Sequence, residues 1–262
     1  MKKNLIVLGL CLIGLTLGLT SCDKYSVNYD IYKQTIVGTW IAVDVDGEEV
    51  ETDKIFINVF NSNGTSQYAS IDEVANGKEW LVVDGEKYRL DNDILFEETE
   101  YRGTKLTMKS SIRIEGDYMY VQEIETTADG VKYPANGHFT MKRVTNDLKN
   151  QLVGIWKGNE ITEGVAPSKD KYWEFLPNGN YYYYYFDEAT QKYVRKADND
   201  GKFFLYGDFL ASNYSNDLLS GAQGRTSECW KLYFNNDGMS WTGKRAGGKK
   251  AAFYMKKVNK VE

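Results

Sequence analysis

A unit of roughly 110 residues is written twice in this chain, and that duplication limits the folds open to it. Val37-Gly38-Thr39-Trp40 returns as Val153-Gly154-Ile155-Trp156. Phe60, Asn63-Gly64 and Tyr68 return as Phe175, Asn178-Gly179 and Tyr183. Phe139-Thr140-Met141-Lys142-Arg143-Val144 returns as Phe253-Tyr254-Met255-Lys256-Lys257-Val258. The three matches keep their order and a spacing of about 115 residues, which chance does not supply. They define units at residues 34–144 and 153–262, each of ordinary single-domain size. The linker, 145–152, holds the best short helix, expected over 146–152.

Inside each unit the pattern is strand, tight turn, strand. Asp-Gly or Asn-Gly falls at 46–47, 63–64, 76–77, 84–85, 129–130, 136–137, 178–179, 200–201 and 237–238. Such pairs tolerate the positive φ angles of two-residue hairpin turns. Between them lie short runs such as 54–60, 118–126, 171–176, 202–206 and 228–234, and no stretch sustains an amphipathic helical period for long. Aromatic residues make up 14% of the chain, 20 of them tyrosines, and rings suit a pleated, half-buried surface. Many short antiparallel strands leave edges that must be hidden, by closure into a barrel or by a sandwich. About eight strands enclose room for packed side chains or one small ligand. The expected fold is therefore all-β, two tandem antiparallel units, each closed as a barrel or packed as a sandwich.

The first 21 residues are of another kind. Lys2 and Lys3 precede an uncharged apolar run from Leu5 to Leu19, and Leu19-Thr20-Ser21-Cys22 closes it. At about 15 residues the run is short for a membrane span and reads as a secretory signal. Losing it takes the net charge from −5 to −7 by removing Lys2 and Lys3. That balance argues against an electrostatic nucleic-acid binder and against attraction to an anionic bilayer. Of three cysteines, Cys11 leaves with the signal, and no disulfide is expected within the chain once Cys22 is consumed as described next.

Leu19-Thr20-Ser21-Cys22 resembles the bacterial lipobox. The resemblance implies cleavage before Cys22, diacylglycerol on its thiol, further acylation (palmitate among the chains) and a lipidated tether over 22–33. Multiple acyl chains anchor stably where one does not, which implies outer-membrane attachment with the membrane as partner, on a face left open. The short helical turn, Gly-x-Trp on a first strand and up-and-down hairpins resemble the lipocalin superfamily. With the lipobox and the Met-Lys-x-Val endings, the chain is similar to tandem lipocalin-like lipoproteins of the Bacteroides type, which implies two tandem antiparallel up-and-down barrels. In lipocalins a first-strand tryptophan packs on the barrel floor beneath a basic side chain. The resemblance therefore implies floors built from Trp40 with Arg143, and from Trp156 with Lys257.

Residues with chemistry are sparse. His138 is the only histidine and lies in the first unit, whereas Cys229 lies in the second. Neither a two-histidine metal site nor a Cys–His pair within one unit is available. Asp91-Asn92-Asp93 and Asp198-Asn199-Asp200-Gly201 lack the spacing of a calcium loop and read as turns. Lys244-Arg245 and Lys249-Lys250 around Gly247-Gly248 read as a solvated hairpin tip. The run Tyr181 to Tyr185 and Phe186 stands out. On a strand, Tyr181, Tyr183 and Tyr185 share one face and Tyr182, Tyr184 and Phe186 the other. Tyr183 aligns with Tyr68, so its face is expected inside, and the opposite face is a candidate contact surface, with the first unit among its possible partners.

These readings favour a non-catalytic binding protein without metal or cofactor, holding a small apolar or amphipathic ligand. Trp156, Trp173, Tyr181, Tyr183 and Tyr185 are its candidate lining. The alternative is an envelope protein binding a partner chain or a glycan through exposed aromatics. A hydrolase built on converging carboxylates stands third.

Overall fold

The computed structural model describes residues 29–262 apart from 76, 163, 167–168, 217–223, 237 and 246–247. The expected signal and Cys22 lie outside the described residues. After α1 (Tyr29–Thr35) come β1 (Gly38–Val45), β2 (Glu48–Glu49), β3 (Phe56–Phe60), β4 (Thr65–Val74) and β5 (Gly77–Asp91). Then follow β6 (Ile94–Tyr101), β7 (Thr104–Glu115), β8 (Tyr118–Ala128), β9 (Val131–Tyr133) and β10 (His138–Arg143). A short α2 (Lys149–Leu152) leads to β11 (Gly154–Thr162), β12 (Lys171–Phe175), β13 (Asn180–Asp187), β14 (Lys192–Arg195) and β15 (Gly201–Tyr206). The last strands are β16 (Phe209–Asn216), β17 (Gly224–Asn235), β18 (Gly238–Lys244) and β19 (Lys250–Val258). Among the described residues no helix is long and apolar enough to cross a membrane.

The fold is all-β and contains a closed eight-stranded antiparallel barrel. In the N-terminal half, β1 pairs β3, each strand from β3 to β8 pairs the next, β8 pairs β10, and β10 returns to β1. In the C-terminal half, pairings run from β11 through β12, β13, β15, β16, β17 and β18 to β19, which pairs β11 again. β14 folds back on the outer end of β13. Closure leaves few unpaired strand edges to solvent.

Not every Asx-Gly pair makes a hairpin. Asp84-Gly85 lies inside β5, where Gln67 faces Asp84 and Ser66 faces Glu86, so Gly85 is an extra bulged residue. One inserted residue swaps the faces of everything after it. Trp80 and Val82 accordingly pack outside the barrel, whereas Tyr88 and Leu90 pack in its interior. Asp200-Gly201 likewise ends a 3-10 turn (Ala197–Asn199) and opens β15. Asn136-Gly137 lies between β9 and β10 with no hairpin turn. The linker helix is shorter than expected because the Asp147 carboxylate accepts the Lys149 N–H (2.9 Å) and holds the chain outside the helix until there.

Each circuit is plugged at one end by the same small assembly. Trp40 is fully buried and its Nε1 donates to the Ile36 carbonyl at 2.7 Å. The Arg143 guanidinium lies over the Trp40 ring, 4.2 Å from its centroid, and donates to the carbonyls of Val37 (2.8 Å) and Thr35. Trp156 Nε1 donates to the Leu152 carbonyl at 2.7 Å, Lys257 Nζ lies 5.4 Å from the Trp156 ring, and Lys257 donates to the Gln151 carbonyl at 3.1 Å. Gly38 and Gly154 take φ near 134° and 132°, and a Cβ there would stand 2.8 Å from Arg143 Nη1 and 2.6 Å from Lys257 Cε. The glycine of Gly-x-Trp is what lets the cation reach the ring. The planar guanidinium makes two carbonyl bonds where the ammonium makes one, so the first plug is the firmer.

The two halves are joined through their outer faces. Ile57, Ala69 and Trp80 pack against Phe209, Ala211 and Cys229 in one buried cluster. Trp80 lies 5.5 Å from the Phe209 ring and 6.0 Å from Tyr206. The Asn213 amide clamps the Trp80 backbone, accepting its N–H at 2.7 Å and donating to its carbonyl at 2.9 Å. Arg225 pairs with Glu79 at 2.9 Å, and a parallel bridge joins Arg225 to Gly77, where a Cβ would meet the Arg225 carbonyl oxygen at 2.0 Å. This cluster thus uses β15, β16 and β17 of the C-terminal half, and the β13 face of Tyr182, Tyr184 and Phe186 takes no part in it.

Trp40→Ala should lower unfolding free energy by about 3–5 kcal/mol, the usual cost of emptying a tryptophan site. Urea denaturation with an unchanged midpoint would contradict the plug. Trp80→Ala should cost a similar amount, and because it lies between the halves it should also split a single thermal transition into two. A calorimetric trace identical to that of the parent chain would show that the interface contributes nothing.

Candidate ligand-binding site

The interior of the C-terminal circuit is filled largely by aromatic rings. Trp173 and Phe175 on β12, Trp230 on β17, Trp241 on β18 and Phe253 on β19 alternate inward with period two and form one cluster. Phe253 sits at its centre, 5.2 Å from Trp173, 5.1 Å from Trp230 and 5.1 Å from Trp241, all at near-perpendicular ring angles. Edge-to-face contacts suit the ring quadrupoles and hold the plates rigidly. Above this floor lies a cavity of about 90 Å³ that opens to solvent, smaller than the ~150 Å³ apolar cavity that admits a benzene. A buried hydrocarbon chain does not fit.

The rim of the cavity is charged. Lys171 on β12, Glu228 on β17 and Arg245 just beyond β18 line it, and Glu160 on β11 stands beside Lys171 and Arg245 as a partner of both. Arg245 bridges both acids, with Nε 3.1 Å from Glu228 and Nη1 3.4 Å from Glu160. Lys171 Nζ pairs with Glu160 at 3.0 Å, and the Thr162 hydroxyl donates to Glu160 at 2.6 Å. The Glu228 side chain is 6% exposed, and an acid so enclosed persists in its charged form only when paired. Burial pushes the Glu160 carboxyl up, but the Thr162 hydrogen bond and the charges of Arg245 and Lys171 outweigh it and hold it below the ordinary range. Burial pushes the Tyr183 hydroxyl up to about 12 and raises Tyr214, which Glu228 also faces, so both keep their protons as donors. Two lining residues carry buried polar atoms without a hydrogen-bond partner: the Trp241 Nε1 donor and the Asn199 Oδ1 acceptor.

The expected lining residues divide. Trp173, Tyr181 and Tyr183 line the cavity. Trp156 does not, because it is committed to the plug beneath Lys257 and contacts Phe234 (5.9 Å). Tyr185 does not either; it is 37% exposed near the outer end of β13, where the strand pairs only with β14. Arg245, read from sequence as part of a solvated tip, turns inward to the two glutamates, and neighbouring Lys244 pairs with Glu51 of the other half. Glu228 had a visible signal. It occupies an inward position in the row Glu228, Trp230, Leu232, a charge where period two calls for an apolar residue.

The N-terminal circuit has a different mouth. Beyond its apolar end it turns Glu86, Glu97 and Glu123 inward, and burial raises the pKa of all three. Glu97 is pushed up to about 8 by burial and then by the charge of Glu86. Among the described residues no group of three or more His, Cys, Asp or Glu is placed to hold a metal ion. His138 is exposed, with Nδ1 3.5 Å from Asp46. Cys229 is buried in the interface, where burial raises its thiol far above the ordinary value. No protein-family model, curated protein or solved structure matches the chain.

Glu97 keeps its proton in the folded chain at pH values where the unfolded chain has released it. The folded state therefore binds more protons between the ordinary carboxylate range and about pH 8, and stability falls as pH rises through that window. Urea midpoints followed from about pH 5 to about pH 9 should decline and then level off, and Glu97→Gln should remove much of the decline. Equal slopes for the two proteins would show that Glu97 is not enclosed as described.

Proposed function

We propose that the chain is an exported, lipid-anchored, non-catalytic binding protein of two tandem lipocalin-like barrels, 34–144 and 153–262, whose binding site is the mouth of the second. The observation that carries this reading is the solvent-open cavity between the aromatic floor and the rim of Lys171, Glu228 and Arg245. Ligand sites combine apolar walls with a few convergent polar groups, and this one does so above an aromatic cluster. The Gly-x-Trp plugs under Arg143 and Lys257 support the lipocalin-like reading. The anchor rests on the lipobox at Cys22, with the outer membrane as the proposed address.

Binding without catalysis is favoured because the reactive side chains are used otherwise. His138 is a surface partner of Asp46, and the Cys229 thiol is sealed between the halves. Every charge on the rim has a partner, which suits holding a ligand rather than transferring protons. The competing proposal, an envelope partner or glycan on the exposed aromatics, has less support. Arg195 lies over Tyr182 at 3.5 Å, Tyr184 donates to Glu174 at 2.8 Å, and Lys169 lies over Phe186 at 3.6 Å, so that face is covered by its own neighbours.

A thermal-shift screen of the 22–262 chain against small metabolites and lipids tests the reading. A ligand at 100 times its Kd should stabilise the chain by about 2.7 kcal/mol, and Tyr183→Ala in the cavity wall should reduce the shift. Hits that stabilise the variant equally, or no hits at all, would contradict a site at this mouth. Cys22→Ser should move the chain from the membrane to the soluble fraction of a producing cell; retention in the membrane would end the lipid-anchor proposal.

A further inference from the structure

Ligand class can be read from how the rim is already paired. Lys171, Arg245 and Glu228 line the cavity and Glu160 lies beside the two cations, so that two carboxylates and two cations neutralise one another through the contacts at 3.0, 3.1 and 3.4 Å. A zwitterion would have to pull these pairs apart to find its own partners, exposing buried charges on the protein side. A hydrocarbon meets a cavity of about 90 Å³ that is ringed by charge and too small for a chain. A neutral molecule rich in hydroxyl groups disturbs neither.

Two buried atoms specify that molecule further. Trp241, 4% exposed, has an Nε1 donor without a partner, and Asn199 has an Oδ1 acceptor without one; both residues line the cavity. An unmatched donor and an unmatched acceptor at one site are satisfied together by groups that both give and take a hydrogen bond, as hydroxyls do. The Tyr183 hydroxyl, which keeps its proton, adds a donor. The Trp173 ring, which lines the cavity, supplies apolar surface against which the C–H face of a pyranose packs. The size of the cavity admits one edge of a sugar ring and leaves the remainder at the open rim.

We infer that the mouth of the second circuit binds the terminal residue of a neutral oligosaccharide, with Asn199 and Trp241 taking its hydroxyls beside the Trp173 ring. The inference rests on the binding reading above and adds the class of ligand. Isothermal titration of the 22–262 chain with cellotriose, maltotriose and chitotriose, beside the dipeptide Gly-Leu and palmitate, tests it. At least one trisaccharide should bind saturably. Asn199→Ala and Trp241→Phe should each weaken it roughly tenfold, the scale of one hydrogen bond to a buried group, with the melting temperature recorded for each variant to exclude unfolding. Binding of Gly-Leu or palmitate with all three saccharides inert overturns the ligand class and leaves a binding protein. Saccharide binding that both variants retain in full places the site elsewhere and overturns the inference. Inertness toward every probe overturns the ligand class, and if the metabolite screen is also empty the binding reading falls with it.

Discussion

A buried indole held under a cation is the contact on which each circuit depends. Trp40 and Trp156 reach the end of their circuits from the first strand, and the last strand supplies Arg143 or Lys257 to cover them. First and last strands must therefore lie side by side, as the pairings of β1 with β10 and β11 with β19 record. The indole N–H is spent on the carbonyl of the preceding turn, Ile36 or Leu152, so the short helices are drawn across the opening. One motif thus closes the sheet and seals its end. With that end shut and the interior below it filled by rings, any ligand must enter from the opposite mouth.

The two mouths then diverge, although the plugs do not. The first turns inward three carboxyls that burial drives toward their neutral form. The second sets two acids among two cations, and a hydrogen bond and cationic neighbours hold the Glu160 carboxyl below the ordinary range. The packing at the plugged end is common to both circuits whereas the open ends differ, since a rim residue contributes little to closure. The shared outer wall is the other acquired feature. It exists because the Gly85 bulge sends Trp80 outward while Glu86 and Tyr88 stay inside, a change of face that an unbroken strand does not permit.

Much of the scaffold was legible in the sequence because its signals are local. Gly-x-Trp, the Met-Lys endings and most Asx-Gly turns depend on a few adjacent residues, and the repeat shows each of them twice. The site was less legible because it depends on residues that are distant in sequence. Arg245 looks like hairpin-tip charge until β11 and β17 bring Glu160 and Glu228 beside it. Asp84-Gly85 has turn chemistry but lies opposite an unbroken β4, which makes it a bulge. Cys229 shares its strand with Trp230, yet alternation sends one to the interface and the other to the floor. The tyrosine run showed its two faces correctly in principle, but Tyr185 lies beyond the cavity, where β13 outruns its neighbours.

Six tryptophans spread over both plugs, the interface and the floor make the chain its own reporter. Their indole N–H signals, assigned by substitution and followed by nuclear magnetic resonance during titrations with cellotriose, maltotriose and chitotriose, test the location of binding directly. Trp173 and Trp241 should move together, and Trp40, Trp80 and Trp156 should stay still. Movement centred on Trp40, Trp80 or Trp156, or no movement at any indole, would contradict a binding site at the open mouth of the second circuit.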